Sequence, residues 1–324
     1  MTPAGIYTVP ADIGPFPAVV LLTASGSEDR NETVYGHQPF AVLADYLTSR
    51  GVAVLRFDDR GVGQSGGTLR GTSSADYTSG ALAALAWLRA QPGIQKAHVG
   101  LLGHSQGGTA AIGAALQPNG PDFLVLLAAP GLPGDELLVQ QSLAVARLQT
   151  ADPVQLATTE RLQRAMTQII QKTADNAQAR TLLLALYDPT HTASPQALAQ
   201  LEPQLAAMAS PDYRALLADR PAQTLAKVRC PVLALGGGKD VQVPAARNLA
   251  ATAAALKAGG NHDATVRELP GLNHLFQTAA TGGPNEYAVI EETLAPAVLQ
   301  LIGDWVVQHA SKSLALPNSG WQER

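Results

Sequence analysis

Short apolar runs recur through the first 130 residues, and stretches with helical periodicity separate them. Each run is nearly continuous in apolar residues, as expected for a strand that is buried on both faces of a parallel sheet. Strands that alternate with helices predict an α/β fold with a doubly wound, mostly parallel sheet. The strand-like runs are "FPAVVLLTA", "GVAVLRFDD", "AHVGLLGHS" and "DFLVLLAAP".

A different pattern occupies residues 131–226, which are rich in Ala, Leu, Gln and Arg, all good helix formers. Asp152 and Pro153 have the residue types of an N-cap and a first helical position. Strand-like runs then resume at "CPVLALGGGKD" and "HDATVRELPG", and "EETLAPAVLQLIGDWVVQ" predicts a closing helix. We therefore expect a core formed by residues 1–130 and 227–324, interrupted by a helical cap over residues 131–226.

Composition narrows the class of protein. Hydrophobic residues make up 46% of the 324 and charged residues 15%, which is typical of a globular chain and not of a disordered one. The net charge of −4 and the lack of a dense basic run predict no nucleic-acid partner. Cys230 is the only cysteine, so an internal disulfide or a multi-cysteine metal site is excluded. We expect Cys230 to be a buried packing residue.

The sequence also bears on location. It contains no run of about 20 apolar residues, so no membrane span is predicted. The first ten residues, "MTPAGIYTVP", lack the charged start and the apolar core of a signal peptide. We expect a cytoplasmic protein, and a trimmed secreted precursor is the alternative. The oligomeric state cannot be deduced from these features.

"GHSQG", residues 103–107, has the G-x-S-x-G form of a nucleophile elbow. In such an elbow a strand turns sharply into a helix and exposes a serine at the apex, and the flanking glycines avoid a collision with the turn. The run "VGLL" precedes the motif and the helix-like "GGTAAIGAALQ" overlaps its end. This context favours Ser105 as a nucleophile over an ordinary loop serine.

A serine nucleophile needs a general base, and in this fold the chain order is Ser, then Asp or Glu, then His. Asp240 follows the strand-like "CPVLALGGGKD" and His274 follows "TVRELP", so both fall at the carboxyl ends of strands. We predict that His274 accepts the proton of Ser105 and that Asp240 orients the imidazole. Asp135 or Glu136 is the alternative acid. The competing histidines have less suitable positions: His262 precedes the last strand, His309 lies on the terminal helix, and His104 is expected to turn away from the site.

An oxyanion hole needs two backbone N–H groups. The first is expected from Gln106, directly after the nucleophile, and the second from the turn "TASGSEDRNE" after the first clear strand. Ser25 is the predicted donor in that turn, and Ala24 is the alternative.

The glycine-rich turn "FDDRGVGQSGG", residues 57–67, contains the G-x-G-x-x-G spacing of dinucleotide-binding loops. That motif requires a helix to begin at the turn, and "GTLRGTSSADY" intervenes before the next helical stretch. We therefore predict no cofactor here, and expect Asp58, Asp59 and Arg60 to brace the loops behind the site.

Taken together, "GHSQGG", "FDDRGVGQS", "GGGKDVQVP" and "LPGLNHLFQ" resemble the α/β-hydrolase superfamily. The turn "TASGSEDRNE" followed by "FAVLADYLTSRGVAVLRFDDRGVG" is similar to a bacterial group of serine carboxylesterases with a helical cap. The resemblance implies Ser105, Asp240 and His274 as a triad, a helical lid and hydrolysis of short-chain esters. The chain departs from these relatives at Thr23 and Ala24, where they usually carry His-Gly or a glycine-rich equivalent.

The predicted function is hydrolysis of carboxylic esters with short to medium acyl chains, through an acyl-enzyme. The expected partner is a small-molecule ester, with no metal and no organic cofactor. A thioesterase, a lactonase or an acylaminoacyl-type peptidase would use the same triad. A binding protein that has lost catalysis is a further alternative, although all three candidate triad residues are present.

Overall fold

The computed structural model describes residues 3–68, 72–190 and 192–311 of the chain. Its seven-stranded sheet has the order β1-β3-β2-β4-β5-β6-β7. All neighbouring strands are parallel except β1, which runs antiparallel to β3 at one edge. The strands are β1 (Gly5–Thr8), β2 (Phe16–Leu22), β3 (Ala53–Phe57), β4 (Ile94–His104), β5 (Leu124–Leu127), β6 (Val232–Gly237) and β7 (Ala264–Leu269).

The helices follow the predicted alternation. A short 3₁₀ helix, Pro284–Glu286, lies before the last α-helix. The α-helices are α1 (Pro39–Ser49), α2 (Ser74–Arg89), α3 (Gln106–Ala114), α4 (Gly134–Arg147), α5 (Pro153–Lys172), α6 (Asn176–Tyr187), α7 (Pro195–Met208), α8 (Pro211–Ala218), α9 (Pro221–Leu225), α10 (Ala245–Ala258) and α11 (Pro296–Ser311). The doubly wound, mostly parallel sheet predicted from the sequence is confirmed.

The sheet is buried on both faces. Successive side chains of a strand point to opposite faces, so Leu101 of β4 lies in the cluster beneath α2, α3 and α10, and Leu102 in the cluster beneath α1 and α11. Both leucines are fully buried. This burial explains why the strand sequences show continuous apolar runs and little alternation.

Helices α4 to α9 lie between β5 and β6 in the chain. Asp152 caps α5 by accepting a hydrogen bond from the Val154 N–H, as its position before Pro153 predicted. Helices α5 to α8 share a small cluster of buried residues centred on Ile170, Leu183, Leu205 and Leu217. The last helix, α9, packs instead against α3 and α10, so it belongs to the layer beside the sheet. The division into a core and a cap stays a prediction.

Cys230 is partly buried against the cluster beneath α2 and α3, and burial raises the pKa of its thiol to about 12. The thiol is therefore weakly acidic, and Cys230 packs against this cluster, although it is less buried than the sequence predicted. Throughout the described residues, we find no helix with the length and apolar character needed to cross a bilayer. The cytoplasmic location stays a prediction.

Candidate active site

Strand order reverses between β2 and β4, since the chain proceeds from β2 outward to β3 and from β4 outward to β5. In open α/β sheets, the loops that follow the strands at such a switch point form a crevice. Here they are the turn after β2, which contains Ala24 and Ser25, and the turn from β4 into α3, which contains Ser105. Two predicted parts of the site thus lie side by side because of the topology.

Ser105 occupies a strained turn. Its backbone has φ +50° and ψ −115°, outside the conformations that a serine ordinarily adopts, and α3 begins at the next residue. Such strain costs of the order of 1–3 kcal/mol and persists only where the surroundings impose it. Here a Cβ on Gly107 would lie 2.2 Å from the Leu22 carbonyl oxygen, and one on Gly103 would lie 2.3 Å from the Gly107 backbone. The geometry of "GHSQG" is therefore that of the predicted elbow.

His274 and Asp240 are brought together although they lie 34 residues apart. His274 Nδ1 is 2.7 Å from Asp240 Oδ2, and both side chains are almost completely buried. The other carboxylate oxygen, Oδ1, accepts the N–H groups of Gln242 and Val243 at 2.8 Å each. These contacts fix the carboxylate, which in turn fixes the plane of the imidazole.

The alternative acids lie elsewhere. Asp135 and Glu136 are in the first turn of α4, where Asp135 is 3.5 Å from Arg220 and Glu136 contacts Arg164 and Arg247. Neither is bonded to a histidine in the described structure.

A cavity of about 710 Å³ opens above these residues, and both Ser105 and His274 line it. Further wall residues come from the turn after β2, including Ala24, Ser25 and Glu28, from α4, and from segments that contain Gln242 and Tyr287. The α4 residues in the wall are Gln141, Ser142, Val145 and Ala146.

The two predicted oxyanion donors are placed as follows. Gln106 is the first residue of α3, where an N–H group has no acceptor within the helix. Ser25 lies in the cavity wall and is exposed. The alternative donor, the Ala24 N–H, already donates to Glu32 Oε1 at 2.7 Å. Of the two amides considered in this turn, that of Ala24 is thus occupied.

Loops behind the cavity are braced by the acidic pair after β3. Asp58 accepts hydrogen bonds from the Arg30 side chain and from the Gln64 N–H, and the Arg30 bond holds the pKa of Asp58 down to about 2. Asp59 accepts from Thr23 Oγ1 and from the Glu28 N–H, and burial raises the pKa of Asp59 to about 6. Arg60 is more peripheral and lies 3.6 Å from Asp76 of α2.

Two acidic residues of the site were not singled out from the sequence. Glu28 lines the cavity, and burial together with the charges of Glu32 and Asp59 raises its pKa to about 7. Glu32 is 2% exposed and contacts His104, which is itself buried. The only available signal was the acidic content of "SEDRNE", which does not reveal the direction in which each side chain points.

His104, which the sequence predicted to turn away from the site, lines the same cavity as Ser105 and is held by two neighbours. Its ring nitrogens contact Glu32 Oε1 at 2.9 Å and the main-chain oxygen of His274 at 3.0 Å. The other competing histidines lie away from the site: His262 is exposed, and His309 stacks on Trp305 of α11. Within the described ranges, no group of three or more His, Cys, Asp or Glu side chains is arranged to hold a metal ion.

This sheet, with a serine elbow at its switch point, defines an α/β-hydrolase. Solved structures support that class: a proline iminopeptidase from Mycobacterium smegmatis has a TM-score of 0.56 at 18% identity and 95% coverage of each chain. A monoacylglycerol lipase from Paleococcus ferrophilus has a TM-score of 0.54 at 18% identity, covering 95% of this chain and all of the other. At these identities the likeness concerns the fold alone.

Residues 5–267 match the X-Pro dipeptidyl-peptidase (S15) family, and the chain belongs to that family. It is also similar to the esterase EstD of Thermotoga maritima, with 32% identity over 142 residues. That match covers 42% of this chain and 32% of EstD, so it spans about a third of the relative's length.

Proposed function

We propose that this protein is a serine hydrolase that cleaves carboxylic esters with short to medium acyl chains. The observation that carries the proposal is the strained Ser105 turn, which opens into the same cavity as the Asp240-bonded His274. The similarity to the esterase EstD supports an ester as the substrate.

In the proposed mechanism, Ser105 Oγ attacks the acyl carbon and His274 Nε2 takes its proton. Asp240, bonded to Nδ1, keeps the imidazole in the tautomer that accepts at Nε2 and stabilises the imidazolium that forms. His274 then protonates the leaving alcohol. Water repeats the sequence on the acyl-enzyme, with His274 as the base, and releases the carboxylic acid.

The oxyanion of each tetrahedral intermediate would be bound by the amides of Gln106 and Ser25. The first lies at the start of α3, where the helix dipole adds a positive potential. For the second, the Ala24 amide is engaged by Glu32, which favours the amide of Ser25. Removal of one such donor typically costs about 3–4 kcal/mol of transition-state stabilisation.

We propose further that the segment 131–226 acts as a cap that selects substrates, because α4 supplies one wall of the cavity. The charge of the wall bears on substrate choice. Among the described residues that line it, none is lysine or arginine, whereas Glu28 and Glu32 are present. An anionic substrate such as an acyl-CoA thioester would meet no lysine or arginine there, so an uncharged ester is favoured.

A second candidate is the hydrolysis of an amide bond, and the family match favours it. The same groups would serve both reactions, with His274 protonating an amine in place of an alcohol. The two candidates differ in the leaving group alone and can be separated by substrate.

The test is a panel of p-nitrophenyl esters, acyl-CoA thioesters, lactones and aminoacyl and X-Pro amides, assayed with wild type and Ser105→Ala. We expect ester turnover to dominate, and Ser105→Ala to lower kcat by at least about 10³-fold because the nucleophile is lost. The matched control is Ser49→Ala at the exposed end of α1, with no expected change. Fast amide turnover beside negligible ester turnover would establish the second candidate.

Labelling with a fluorophosphonate separates an enzyme from a binding protein. We expect one adduct, on Ser105, which is absent in Ser105→Ala and present in Ser49→Ala. Absence of any adduct on wild type would favour a binding protein that has kept the hydrolase scaffold.

A further inference from the structure

A chain of hydrogen bonds runs beneath the cavity and joins three separate loops. Glu32 Oε1 accepts the Ala24 N–H at 2.7 Å and lies 2.9 Å from His104 Nδ1. His104 Nε2 lies 3.0 Å from the main-chain oxygen of His274. The turn after β2, the elbow and the His274 loop are thus connected by two side chains. The rings of His104 and His274 are also in contact, with centroids 4.8 Å apart.

The hydrogen count of this chain follows from its acceptors. A carbonyl oxygen only accepts, so His104 Nε2 must carry a hydrogen. The Glu32 carboxylate also accepts only, and one of its oxygens already accepts the Ala24 N–H. The second bond of His104 therefore requires one further proton between Nδ1 and Glu32, and with that proton on Nδ1 the pair is an imidazolium beside a carboxylate. Burial opposes that charge, but the charge of Glu32 and its hydrogen bond outweigh it and raise the pKa of His104.

Burial of this pair is unfavourable in free energy, because charged groups lose their hydration there. Glu32 and His104 are 2% and 4% exposed, and Phe40, Leu127 and Phe276 surround them. Glu32 also adopts φ +54°, which is uncommon for a residue with a side chain. A buried ion pair is commonly no more stabilising than apolar residues of similar volume, so stability alone is a poor reason for its presence. What it supplies is a fixed relation between loops.

We propose that Glu32 and His104 are positioning residues. They hold the second oxyanion amide and the His274 main chain at a fixed distance and orientation relative to each other. The inference rests on the proposed function, because it assigns these roles to Ser25 and His274. Glu32 holds the Ala24 amide and so sets the orientation of the Ala24–Ser25 segment. Through His104, the same carboxylate also holds the main-chain carbonyl of His274, whose imidazole is bonded to Asp240.

The test compares Glu32→Leu with Glu32→Gln. Leucine removes the acceptor for both bonds. Glutamine can keep both contacts through one atom, because its oxygen, placed where Oε1 lies, can accept the Ala24 N–H and the His104 Nδ1–H. Per folded molecule, we expect kcat for p-nitrophenyl esters to fall about 100-fold in Glu32→Leu, with KM within about 3-fold, since a misplacement of about 1 Å costs that much. In Glu32→Gln we expect a loss of less than about 10-fold.

The matched control is Asn261→Leu. Asn261 is also a buried polar residue, and it binds the carbonyls of Val228 and Cys230. It precedes β7, whereas His274 follows β7, so it lies at the end of the strands away from the site. We expect this variant to lose stability with kcat per folded molecule unchanged. The proposal is overturned if Glu32→Leu behaves in the same way, or if Glu32→Gln is no more active than Glu32→Leu.

A second measurement does not depend on ester hydrolysis. In protein labelled with ¹⁵N-histidine, the His274 Nδ1–H that donates to Asp240 should give a downfield proton resonance. We expect this resonance to shift or broaden in Glu32→Leu and to be retained in Glu32→Gln and Asn261→Leu. If wild type hydrolyses no ester, the proposed function fails while this measurement still decides the positioning role. An unchanged resonance in Glu32→Leu would refute it.

Discussion

The sheet and the helical segment α4 to α8 differ in how much core each has. The sheet is covered on both faces by large buried clusters, which include Val19, Leu21 and Leu22 of β2. The helical segment has a small cluster of its own, and many of its apolar side chains are exposed, among them Val145, Val154 and Leu182. The candidate catalytic groups follow strands of the sheet, whereas α4 lines the cavity.

This difference separates two tasks. Catalysis requires atoms held to within a fraction of an ångström, and a well-packed sheet supplies that rigidity. Substrate selection requires a wall that tolerates change, and an element with a small core supplies it. The two regions contact each other at α4, where Leu137 packs against Val243. Val243 is close to Asp240 in the chain.

The largest contrast is expected from truncation of a buried leucine in each region. Leu102 of β4 and Leu183 of α6 are both fully buried. We expect Leu102→Ala to lower the free energy of unfolding by about 3–5 kcal/mol, because the packed sheet cannot close the cavity that is left. Leu183→Ala should cost about 2 kcal/mol, since the small cluster can collapse.

Urea unfolding followed by circular dichroism measures both costs. Equal losses for the two leucines would show that the helical segment is packed as firmly as the sheet. A separate early transition in Leu183→Ala would sharpen the comparison, because the helical segment would then unfold by itself.

A change in the α4 wall should alter selectivity and spare stability. Val145 lines the cavity and is 38% exposed, so phenylalanine can be accommodated there while it narrows the space for an acyl chain. For Val145→Phe, we expect kcat/KM for p-nitrophenyl octanoate to fall about 10-fold relative to the acetate, which is about 1.4 kcal/mol. The free energy of unfolding should change by less than about 0.5 kcal/mol.

The control is Val154→Phe on α5, where Val154 is 71% exposed and outside the cavity wall. It should leave the octanoate-to-acetate ratio unchanged. An equal fall for both esters in Val145→Phe would mean that α4 affects the reacting centre and does not sort acyl chains.

The sequence predicted the sheet except for one edge, the strand β1. Buried parallel strands leave a continuous apolar run, so β2, β4, β5 and β6 were recognisable. The edge strand β1 has only four residues and is mostly exposed, and such a segment carries little periodicity. The closing helix begins at Pro296 and not at Glu291, because the preceding residues are tied to the His274 loop: the Ala295 N–H donates to the Phe276 carbonyl.

Within the site, motif and chain order were enough to single out Ser105, Asp240 and His274 as candidates, since a nucleophile elbow requires its own glycines and strand ends converge. The link from Glu32 to His104 joins residues 72 positions apart and depends on the positive φ of Glu32. No spacing rule contains that information. Contacts that depend on the path of a loop could therefore not be predicted from the sequence.

The smallest expected effect is on the pH dependence of stability. It arises from Glu28, in the turn after β2, and so belongs to the sheet and not to the helical segment. Burial and neighbouring carboxylates raise the pKa of Glu28 to about 7 from an ordinary 4.5. An acid whose pKa is raised by folding stabilises the folded state only while it is protonated. Its contribution is therefore complete below about pH 4.5 and is lost as the pH rises to about 7.

Glu28→Gln removes this loss. We expect the variant to match wild type near pH 4.5 and to be more stable by about 1 kcal/mol above pH 7, a figure reduced because solvent screens a half-exposed group. Chemical unfolding at intervals from pH 4.5 to 8 measures it. Glu291→Gln, at an exposed position, controls for the loss of one negative charge. If Glu28→Gln ran parallel to that control at every pH, the carboxyl would be solvated as an ordinary surface group. The pH response between 4.5 and 8 would then have to arise elsewhere, with Asp59 as the next candidate.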